Sequence, residues 1–338
     1  MLSKEFLIKQ KECCGSGCFM CPYLPRHKQG SIKIMNQMGY ACINTHLSES
    51  KPRVTTNRTM IKRTFKEKGL SYASELSLEN CKDLLTILKW NHDNDFNFFR
   101  MSSDLLPWAS EYDISTLPHY EQIKSTLKEC GDFARDNNMR ITSHPGPFNV
   151  LTSPRPHVVT NCITDLSIHG QVFDMMGLSR TPYNKINIHI GGAYGDKPSA
   201  MKRFCKNFHR LPDSVKLRMT VENDDKANMY SVVDLYEGVY KVIGIPIVFD
   251  YHHHKFQTGG LSEQDALEVA MSTWPTDIVP VVHYSESRSR EYEDPKIRPQ
   301  AHSDYIIDEI NTYGNEIDIM VEAKAKELAV LRYKELYF

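Results

Sequence analysis

The sequence lacks the features of membrane proteins, secreted proteins and proteins that bind nucleic acid through bulk charge. No apolar run approaches the about 18 residues of a membrane span. The opening residues MLSKEFLIKQKECC carry no apolar stretch of a secretory signal. Lys plus Arg (41) and Asp plus Glu (42) leave a formal charge of −1, which still permits a local basic groove. We expect a globular protein of the nucleus or the cytoplasm (prokaryotic or viral), with no membrane contact and no obligate protein partner.

The nine cysteines do not form the pattern of a secreted disulfide framework. Five are scattered singly and are expected in the core. The other four, Cys13, Cys14, Cys18 and Cys21, fall within nine residues, and clustered thiols separated by glycines suit Zn²⁺ or an iron–sulfur cluster. Free, exposed thiols are the alternative. We therefore expect residues 1–31 to form a Cys-rich appendage and residues 32–338 to form the main domain.

Eight short β-type segments alternate with helical patterns along the main domain. They lie at 39–45, 96–102, 140–146, 185–191, 216–224, 245–253, 278–285 and 318–324. The apolar spacing predicts helices over 77–93 and 120–137, and Ser262 followed by Asp265 predicts a capped helix start. Residues 46–76 are expected to form a long insertion in the first loop. Eight strand–helix units predict an α/β fold, the TIM (β/α)₈ barrel. An open doubly wound sheet is the alternative, but no G-x-G-x-x-G follows the first segment.

Metal-binding side chains stand at the carboxyl ends of six predicted strands, where barrel enzymes place their active sites. With one histidine from a loop, eight donors converge: His144, His189, Glu222, Asp250, His253, His283, His302 and Glu322. Any one of these histidines alone is more often structural, so the prediction rests on their coincidence. His252 and His254 are expected to point elsewhere because strand side chains alternate. Mixed imidazole and carboxylate donors suit Zn²⁺, Mn²⁺ or Fe²⁺, and eight donors predict two or three ions.

Clustered divalent ions are compatible with more than one reaction. Two ions ~3.5–4 Å apart can promote a phosphoester displacement, and the same donors could serve a sugar isomerase. Residues 51–68 contain seven Lys or Arg and one acid, which favours a polyanion, although an ordinary solvated loop has the same composition. Small residues follow His189 in the run 191–195 and would let a phosphate approach the backbone, or simply make a tight turn.

A series of motifs in one order resembles the UV damage endonuclease family. They include GYACINT (39–45), TTNRT (55–59), SHPGPF (143–148), HIGGAYGDK (189–197), VENDD (221–225), FDYHHH (249–254), HYSES (283–287) and MVEAKAKE (320–327). The resemblance covers about residues 36 to 330. It implies a DNA-repair enzyme on a barrel related to endonuclease IV.

The resemblance also implies an activity and roles for single residues. Members use up to three divalent ions, manganese first, with zinc or magnesium as alternatives. They nick double-stranded DNA immediately 5′ of cyclobutane dimers and 6-4 photoproducts, and often of abasic sites, leaving a 3′-hydroxyl and a 5′-phosphate. The eight donors are the implied ligands, with Glu222 and Glu322 bridging ions and Lys324 contacting the scissile phosphate. The implied DNA and lesion contacts are Tyr40, Asn57, Arg58, Pro147, Phe148, Gly191, Gly192 and Tyr194.

Two positions depart from the family pattern. Some members carry Gln-Tyr where this chain has Pro147-Phe148, so the lesion range is expected to differ. Some carry a lysine two residues before the histidine that corresponds to His283, where this chain has Val281, which affects the expected metal preference. Two other functions stay open, a metal-dependent sugar isomerase or epimerase on a related barrel and a damage-binding protein without nuclease activity.

Overall fold

The computed structural model describes residues 15–16, 29 and 36–337. Eight parallel strands in this part of the chain close into a barrel in chain order, with β8 paired to β1. The strands are β1 (Met38–Ala41), β2 (Phe98–Met101), β3 (Arg140–Ser143), β4 (Ile186–Ile188), β5 (Met219–Glu222), β6 (Ile247–Asp250), β7 (Val281–Tyr284) and β8 (Asp318–Val321). The TIM barrel expected from the sequence is confirmed. Cys13, Cys14, Cys18 and Cys21, and with them the expected metal or cluster site, lie outside the described residues.

Helices and loops connect successive strands on the outside of the barrel. The α-helices are α1 (Thr45–Ser48), α2 (Lys62–Asp93), α3 (Tyr120–Asp136), α4 (Pro156–Met175), α5 (Lys197–Phe208), α6 (Asp213–Lys216), α7 (Val232–Leu235), α8 (Lys241–Ile243), α9 (Tyr251–His254), α10 (Glu263–Met271), α11 (Arg288–Glu291) and α12 (Glu327–Tyr337). Short 3₁₀ turns lie at Ala109–Glu111, Ile114–Thr116 and Pro182–Asn184, and a π-helical turn at Tyr236–Tyr240 joins α7 to α8. Of the helices described, none has the length and hydrophobicity to cross a lipid bilayer.

Local sequence explains where several helices form and end. Helix α3 buries Ile123, Leu127 and Ala134 on one stripe, which is the helical spacing read from the sequence. Helix α10 begins where predicted, because the Ser262 side chain accepts a hydrogen bond from the Asp265 N–H. Helix α8 ends at Gly244, which adopts the left-handed conformation (φ 72°).

Helix α2 begins earlier than the sequence pattern indicates. It starts at Lys62, inside the segment 46–76 that is expected to be a loop insertion. Gly69 interrupts the helix at φ 64°, and the turns before it carry mostly exposed basic residues. An apolar stripe is therefore absent from these turns, which is why periodicity fails to detect them.

The barrel interior changes from apolar to polar along its axis. A small apolar cluster of Ala41, Phe98, Val248, Val281 and Met320, closed by Trp274, fills the part below the strand ends. Strand side chains point alternately inward and outward, so the residues two positions after Val248, Val281 and Met320 also face the interior. Those residues are Asp250, His283 and Glu322, and the interior therefore turns from apolar to polar at the carboxyl ends of the strands.

Candidate metal centre and nucleic-acid interface

The side chain of Glu222 lies at the centre of a group of imidazoles. This glutamate ends β5 and is only 1% exposed. Its Oε2 lies 3.3 Å from His144 Nε2 and 3.0 Å from His283 Nδ1. Its Oε1 lies 3.4 Å from His253 Nδ1 and 3.9 Å from His189 Nε2. Four histidines from four different strand ends therefore meet around one carboxylate.

The donor atoms form three overlapping groups that could each hold a metal ion. One group is His144, His189 and Glu222, the second is Glu222, Asp250 and His253, and the third is Asp250, His283 and Glu322. In each group the donor atoms lie within 4.8 Å of one another. Glu222 and Asp250 each belong to two groups, which is the arrangement that bridging carboxylates adopt. Seven of the eight expected ligands are thus brought together.

The eighth expected ligand, His302, lies at the edge of this cluster. It comes from the long segment between α11 and β8, and its Nδ1 lies 3.9 Å from Glu322 Oε2 and 3.2 Å from the Glu322 carbonyl oxygen. Its ring contacts the ring of His253 with a centroid distance of 6.4 Å. His302 is therefore near the cluster without belonging to one of the three groups.

Electrostatics in the cluster favour the ionised forms of Glu222 and Glu322. Burial would raise the pKa of Glu222, but the charges of His283 and His189 outweigh it and hold that pKa well below its ordinary value. Burial likewise opposes the effect of Arg100 and His283 on Glu322, whose pKa is also held well below the ordinary value. Burial raises the pKa of Asp250, and its Oδ2 is buried without a hydrogen-bond partner. A buried oxygen in that state fits a metal ligand.

Two polar residues that the sequence reasoning missed hold the ligands in place. Asp224 Oδ1 lies 3.2 Å from His189 Nδ1, so the other ring nitrogen of His189 faces Glu222. Carboxylates that orient a metal-binding histidine in this way raise its basicity. Burial would lower the pKa of His189, but Glu222 and Asp224 raise it to about 10. Asn187 donates a 2.5 Å hydrogen bond to Glu222 Oε2 and accepts one of 2.7 Å from Thr220.

Two cations also enter the barrel interior without having been predicted. Arg100, in β2, forms an ion pair with Glu322. Lys185, just before β4, is fully buried, and its Nζ lies 3.1 Å from His283 Nε2. Burial lowers the pKa of Lys185 to about 7. The signal for both was a charged residue inside an apolar strand segment, FNFFRM for Arg100 and KINI for Lys185.

A cavity of about 360 Å³ lies between the loops after β2 and β3 and helix α4. Met101, Trp108 and Phe148 give it apolar and aromatic walls, and Asp104, Asp165 and His169 add polar groups. Phe148 is 66% exposed at its rim. The cavity therefore offers stacking surfaces and hydrogen-bond acceptors, but two carboxylates make it unsuited to an anion.

Comparison with known proteins identifies the family. A model of the UV-endonuclease UvdE family matches residues 36–337. The chain belongs to this family. The family expected from the motifs is thereby confirmed, and with it the expectation of a DNA-repair endonuclease.

Similar proteins share most of this chain. The UV-damage endonuclease of Schizosaccharomyces pombe is 37% identical over 89% of this chain, which spans only 50% of that protein. The UV DNA damage endonuclease of Bacillus mycoides is 34% identical over 88% of this chain and 92% of its own length. The crystal structure of SacUVDE superposes with a TM-score of 0.76 at 31% identity, over 89% of this chain and 98% of that one. A D-psicose 3-epimerase from Clostridium cellulolyticum (TM-score 0.52, 11% identity, 86% of this chain and 85% of that one) shares the fold alone.

The two departures from the UvdE family pattern have clear positions. Val281 is fully buried in the apolar cluster below His283, so it supplies no donor. Lys185, which reaches His283 from the strand β4 side, is the lysine that lies beside the ligands here. Phe148 and Pro147 are both exposed on the loop after β3, where they are free to meet DNA.

Tyr40 lies inside the fold. It is fully buried between Phe96 and Phe99 (ring centroids 5.4 and 5.1 Å away). Its hydroxyl donates to Asn91 Oδ1 at 2.5 Å and accepts from Asn44 Nδ2 at 2.9 Å. Because the ring is enclosed by the core and its hydroxyl is satisfied there, Tyr40 does not stack on a base in this conformation, and we do not retain it as a DNA contact.

The other expected DNA contacts lie in two loops, one with Gly191, Gly192 and Tyr194 and the other with Asn57 and Arg58. Tyr194 is 51% exposed and stacks over Arg203 at 5.6 Å, and Gly192 lies beside it. Arg58 is tied to Asp83 (2.7 Å) and to the Thr55 carbonyl (2.6 Å), and Asn57 accepts a hydrogen bond from Thr55. Gly191 (φ 108°) is required by packing, since a Cβ there would lie 2.7 Å from Thr152 Oγ1.

Lys324, His252 and His254 lie outside the three ligand groups. Lys324 is exposed in the loop after β8. His252 and His254 are buried and belong to none of the three ligand groups, as expected, but the reason differs. They lie in helix α9 and not in a strand, so helical rotation separates them from His253.

Proposed function

We propose that this protein is a metal-dependent endonuclease that nicks DNA beside UV photoproducts. The observation that carries the proposal is the Glu222 carboxylate, buried among four imidazoles at the mouth of a UvdE-family barrel. The family model spans residues 36–337, the whole region that builds this cluster, and the relatives named as UV-damage endonucleases match 89% and 88% of the chain. The chain spans only half of the fission-yeast relative. We therefore infer its substrates from the ligand cluster and from the similarity to the bacterial relatives.

The residues present fit a group of divalent ions. Their donors are imidazole nitrogens and carboxylate oxygens, one of which, Asp250 Oδ2, is buried without a partner. We propose His144, His189, Glu222, Asp250, His253, His283, His302 and Glu322 as ligands, and Mn²⁺ before Zn²⁺ or Mg²⁺. Of the two bridges expected from the sequence, Glu222 belongs to two ligand groups, whereas Glu322 belongs to one and Asp250 takes the second shared position. Bound ions would activate a water molecule and stabilise the leaving oxygen of a phosphodiester. Asp224 and Asn187 then hold His189 and Glu222 in the orientation that this requires.

The finer specificity of the proposal follows the family resemblance. Cleavage occurs immediately 5′ of cyclobutane dimers and 6-4 photoproducts in double-stranded DNA, leaving a 3′-hydroxyl and a 5′-phosphate, and extends to abasic sites. The scissile phosphate would lie over the cluster, with Lys324 as one expected contact. The chain acts in the cytoplasm or nucleus in this proposal.

The loop after β3 would open the helix at the lesion. Phe148 is exposed enough to stack on a base, whereas Pro147 has no side-chain hydrogen-bond donor. The adjacent cavity of about 360 Å³ would receive a displaced base, because its aromatic walls fit the ring and Asp104 and Asp165 accept hydrogen bonds from base N–H groups. Displacement costs least where the base is already damaged, which links the cavity to lesion recognition.

The N-terminal cysteines are proposed as a separate site. Residues 1–31 would form an appendage in which Cys13, Cys14, Cys18 and Cys21 bind Zn²⁺ or an iron–sulfur cluster, and residues 32–338 would form the catalytic domain. Metal analysis of the full chain against a variant with all four cysteines changed to serine tests this assignment. If the variant and the full chain contain the same amounts of zinc and of iron, the assignment is contradicted.

A nicking assay tests the main proposal. A 5′-labelled duplex with a single thymine dimer is incubated with the full chain in Mn²⁺ or in EDTA, beside a 6-4 photoproduct, an abasic and an undamaged duplex. We expect a metal-dependent cut at the phosphate just 5′ of the dimer and none in the undamaged duplex. Binding without cleavage, with metals present in the protein, would instead favour a damage-binding protein.

A further inference from the structure

The cluster is surrounded unevenly by charge. Its expected ligands come from β3 to β8 and the segment before β8, whereas β1 and β2 contribute none. On this ligand-free side the Arg100 guanidinium enters the barrel and forms an ion pair with Glu322. Arg100 Nε is buried without a hydrogen-bond partner. A cation thus adjoins the ligands with part of its donor capacity unused.

Lys326 lies on the same side, in the loop between β8 and α12. It is half-buried, and the described part of the chain gives its side chain neither a hydrogen bond nor an ion pair. Burial and the charge of Arg100 lower the pKa of Lys326, whereas Cys42 and Glu322 raise it. Arg100, Cys42 and Glu322 therefore lie within electrostatic range of its ammonium group. Its φ of 55° is in the left-handed region, which a lysine rarely adopts. Backbone strain of this kind is concentrated at functional sites.

The ion pair of Arg100 therefore uses an expected metal ligand, Glu322, whose charge also acts on Lys326 without pairing with it. Once Glu322 gives its charge to bound ions, Arg100 would lose its partner anion and Lys326 would lose part of the negative charge around it. Partly buried, unpaired cations are costly. A tetrahedral anion between the cations and the ions would satisfy all of them, and the planar guanidinium is suited to bidentate contact with phosphate oxygens.

We propose that Arg100 and Lys326 bind the phosphodiester from the β1–β2 side, opposite the histidines, and so place it across the metal cluster. This inference rests on the proposed endonuclease function and adds two substrate contacts to it. Lys326 would contact the phosphate from the half-buried position, whereas Lys324, two residues earlier, is exposed. Charge that develops on the phosphate oxygens during displacement would be stabilised by both cations.

The test compares neutral variants of Lys326 and of a distant lysine. Lys326→Asn suits the left-handed backbone, because Asn tolerates φ near 55°. Lys241→Asn is the control, because Lys241 is exposed in α8, which precedes β6 and lies toward the amino-terminal ends of the strands, away from the cluster. We expect Lys326→Asn to lower kcat/KM on a thymine-dimer duplex in Mn²⁺ by about tenfold to a hundredfold. The slope of log affinity against log salt concentration, measured by fluorescence anisotropy in EDTA, should fall by about one. Lys241→Asn should keep both values, and Lys326→Arg should restore the slope.

Other outcomes separate the two proposals. If the unmodified protein fails to cut damaged DNA, the proposed function fails, whatever the variants do. If it cuts, and Lys326→Asn matches Lys241→Asn in both kcat/KM and salt slope, the phosphate role of Lys326 is refuted. Loss of bound Mn²⁺ from Lys326→Asn at unchanged Tm would also overturn it, since the lysine would then act on the metals. Arg100→Lys keeps the positive charge but loses the two-pronged guanidinium contact. It should lose less kcat/KM than Lys326→Asn, at unchanged metal content. Unchanged kcat/KM would remove Arg100 from the proposal.

Discussion

Replacement of Glu222 by glutamine tests the centre of the proposed site. Glu222 belongs to two of the three ligand groups, and four imidazoles and Asn187 contact its carboxylate. Glutamine has the same shape, so packing in the barrel is preserved. The substitution removes one negative charge and turns one oxygen donor into an amide nitrogen, which cannot bind a metal ion.

The expected loss follows from the shared position of Glu222. Because two neighbouring groups use its oxygens, one substitution weakens two metal positions at once. We expect the variant to lose at least one Mn²⁺ per chain. The stabilisation of the transition state should fall by about 4 kcal/mol, which corresponds to a loss of roughly 10³-fold in kcat/KM. Affinity for a thymine-dimer duplex should change little, since DNA contacts lie on the surrounding loops.

Asp318→Asn provides a control with the same charge change at the other end of the barrel. Asp318 begins β8, is buried and pairs with Arg140 at 2.7 Å. That variant should lose about 1–3 kcal/mol of stability while its metal content stays unchanged. Metal content is measured by mass spectrometry, cleavage on the labelled duplex and stability by urea denaturation. Cleavage by Glu222→Gln within tenfold of the unmodified rate would refute the bridging role.

Three further predictions concern single contacts. Tyr40→Phe should lower the free energy of unfolding by about 1–3 kcal/mol, because it leaves Asn91 and Asn44 without their buried partner, and lesion affinity should stay the same; weaker binding at unchanged stability would restore Tyr40 as a DNA contact. Phe148→Ala should leave the Tm unchanged, as the ring is exposed, and weaken binding of the dimer duplex by about 1–3 kcal/mol; unaltered affinity would argue against stacking. The raised pKa of His189, about 10 against an ordinary 6.5, means that its charge stabilises the metal-free fold below pH 6.5 and that this contribution is lost as the pH rises to about 10. In EDTA the Tm should fall over that window, less so in Asp224→Asn, which should also bind Mn²⁺ about 10- to 100-fold more weakly; identical pH profiles of the two proteins would contradict the Asp224 contact.

Local patterns predicted much of the fold and most of the cluster. Alternating strand and helix signals predicted the barrel. The strands are short segments buried on both faces, whereas the helices bury one stripe, as Ile123, Leu127 and Ala134 in α3 show. Ligands could be named because the carboxyl ends of parallel strands meet at one face. The start of α2 escaped prediction because its first turns have no buried stripe.

Contacts between distant segments could not be read from the sequence. The sequence around Tyr40 is equally compatible with a surface position and with a core position. Only the packing of Phe96 and Phe99 around its ring places Tyr40 in the core. Arg100 and Lys185 looked like ordinary charged residues in strands, and their partners Glu322 and His283 lie 222 and 98 residues away. Such pairings depend on which strands close the barrel and in what register.

The sequence by itself determined the fold class, the family and the set of candidate metal ligands, because periodicity and strand-end position are properties of neighbouring residues. The tertiary structure decided which oxygen faces which imidazole, and that Glu222, not Glu322, is the centre of the histidines. It also decided that Lys326 is half-buried within electrostatic range of Glu322 whereas Lys324 is exposed, and that a cavity adjoins the loop of Phe148. These features arise from distances across a closed barrel, where eight strand ends converge only after the chain has folded.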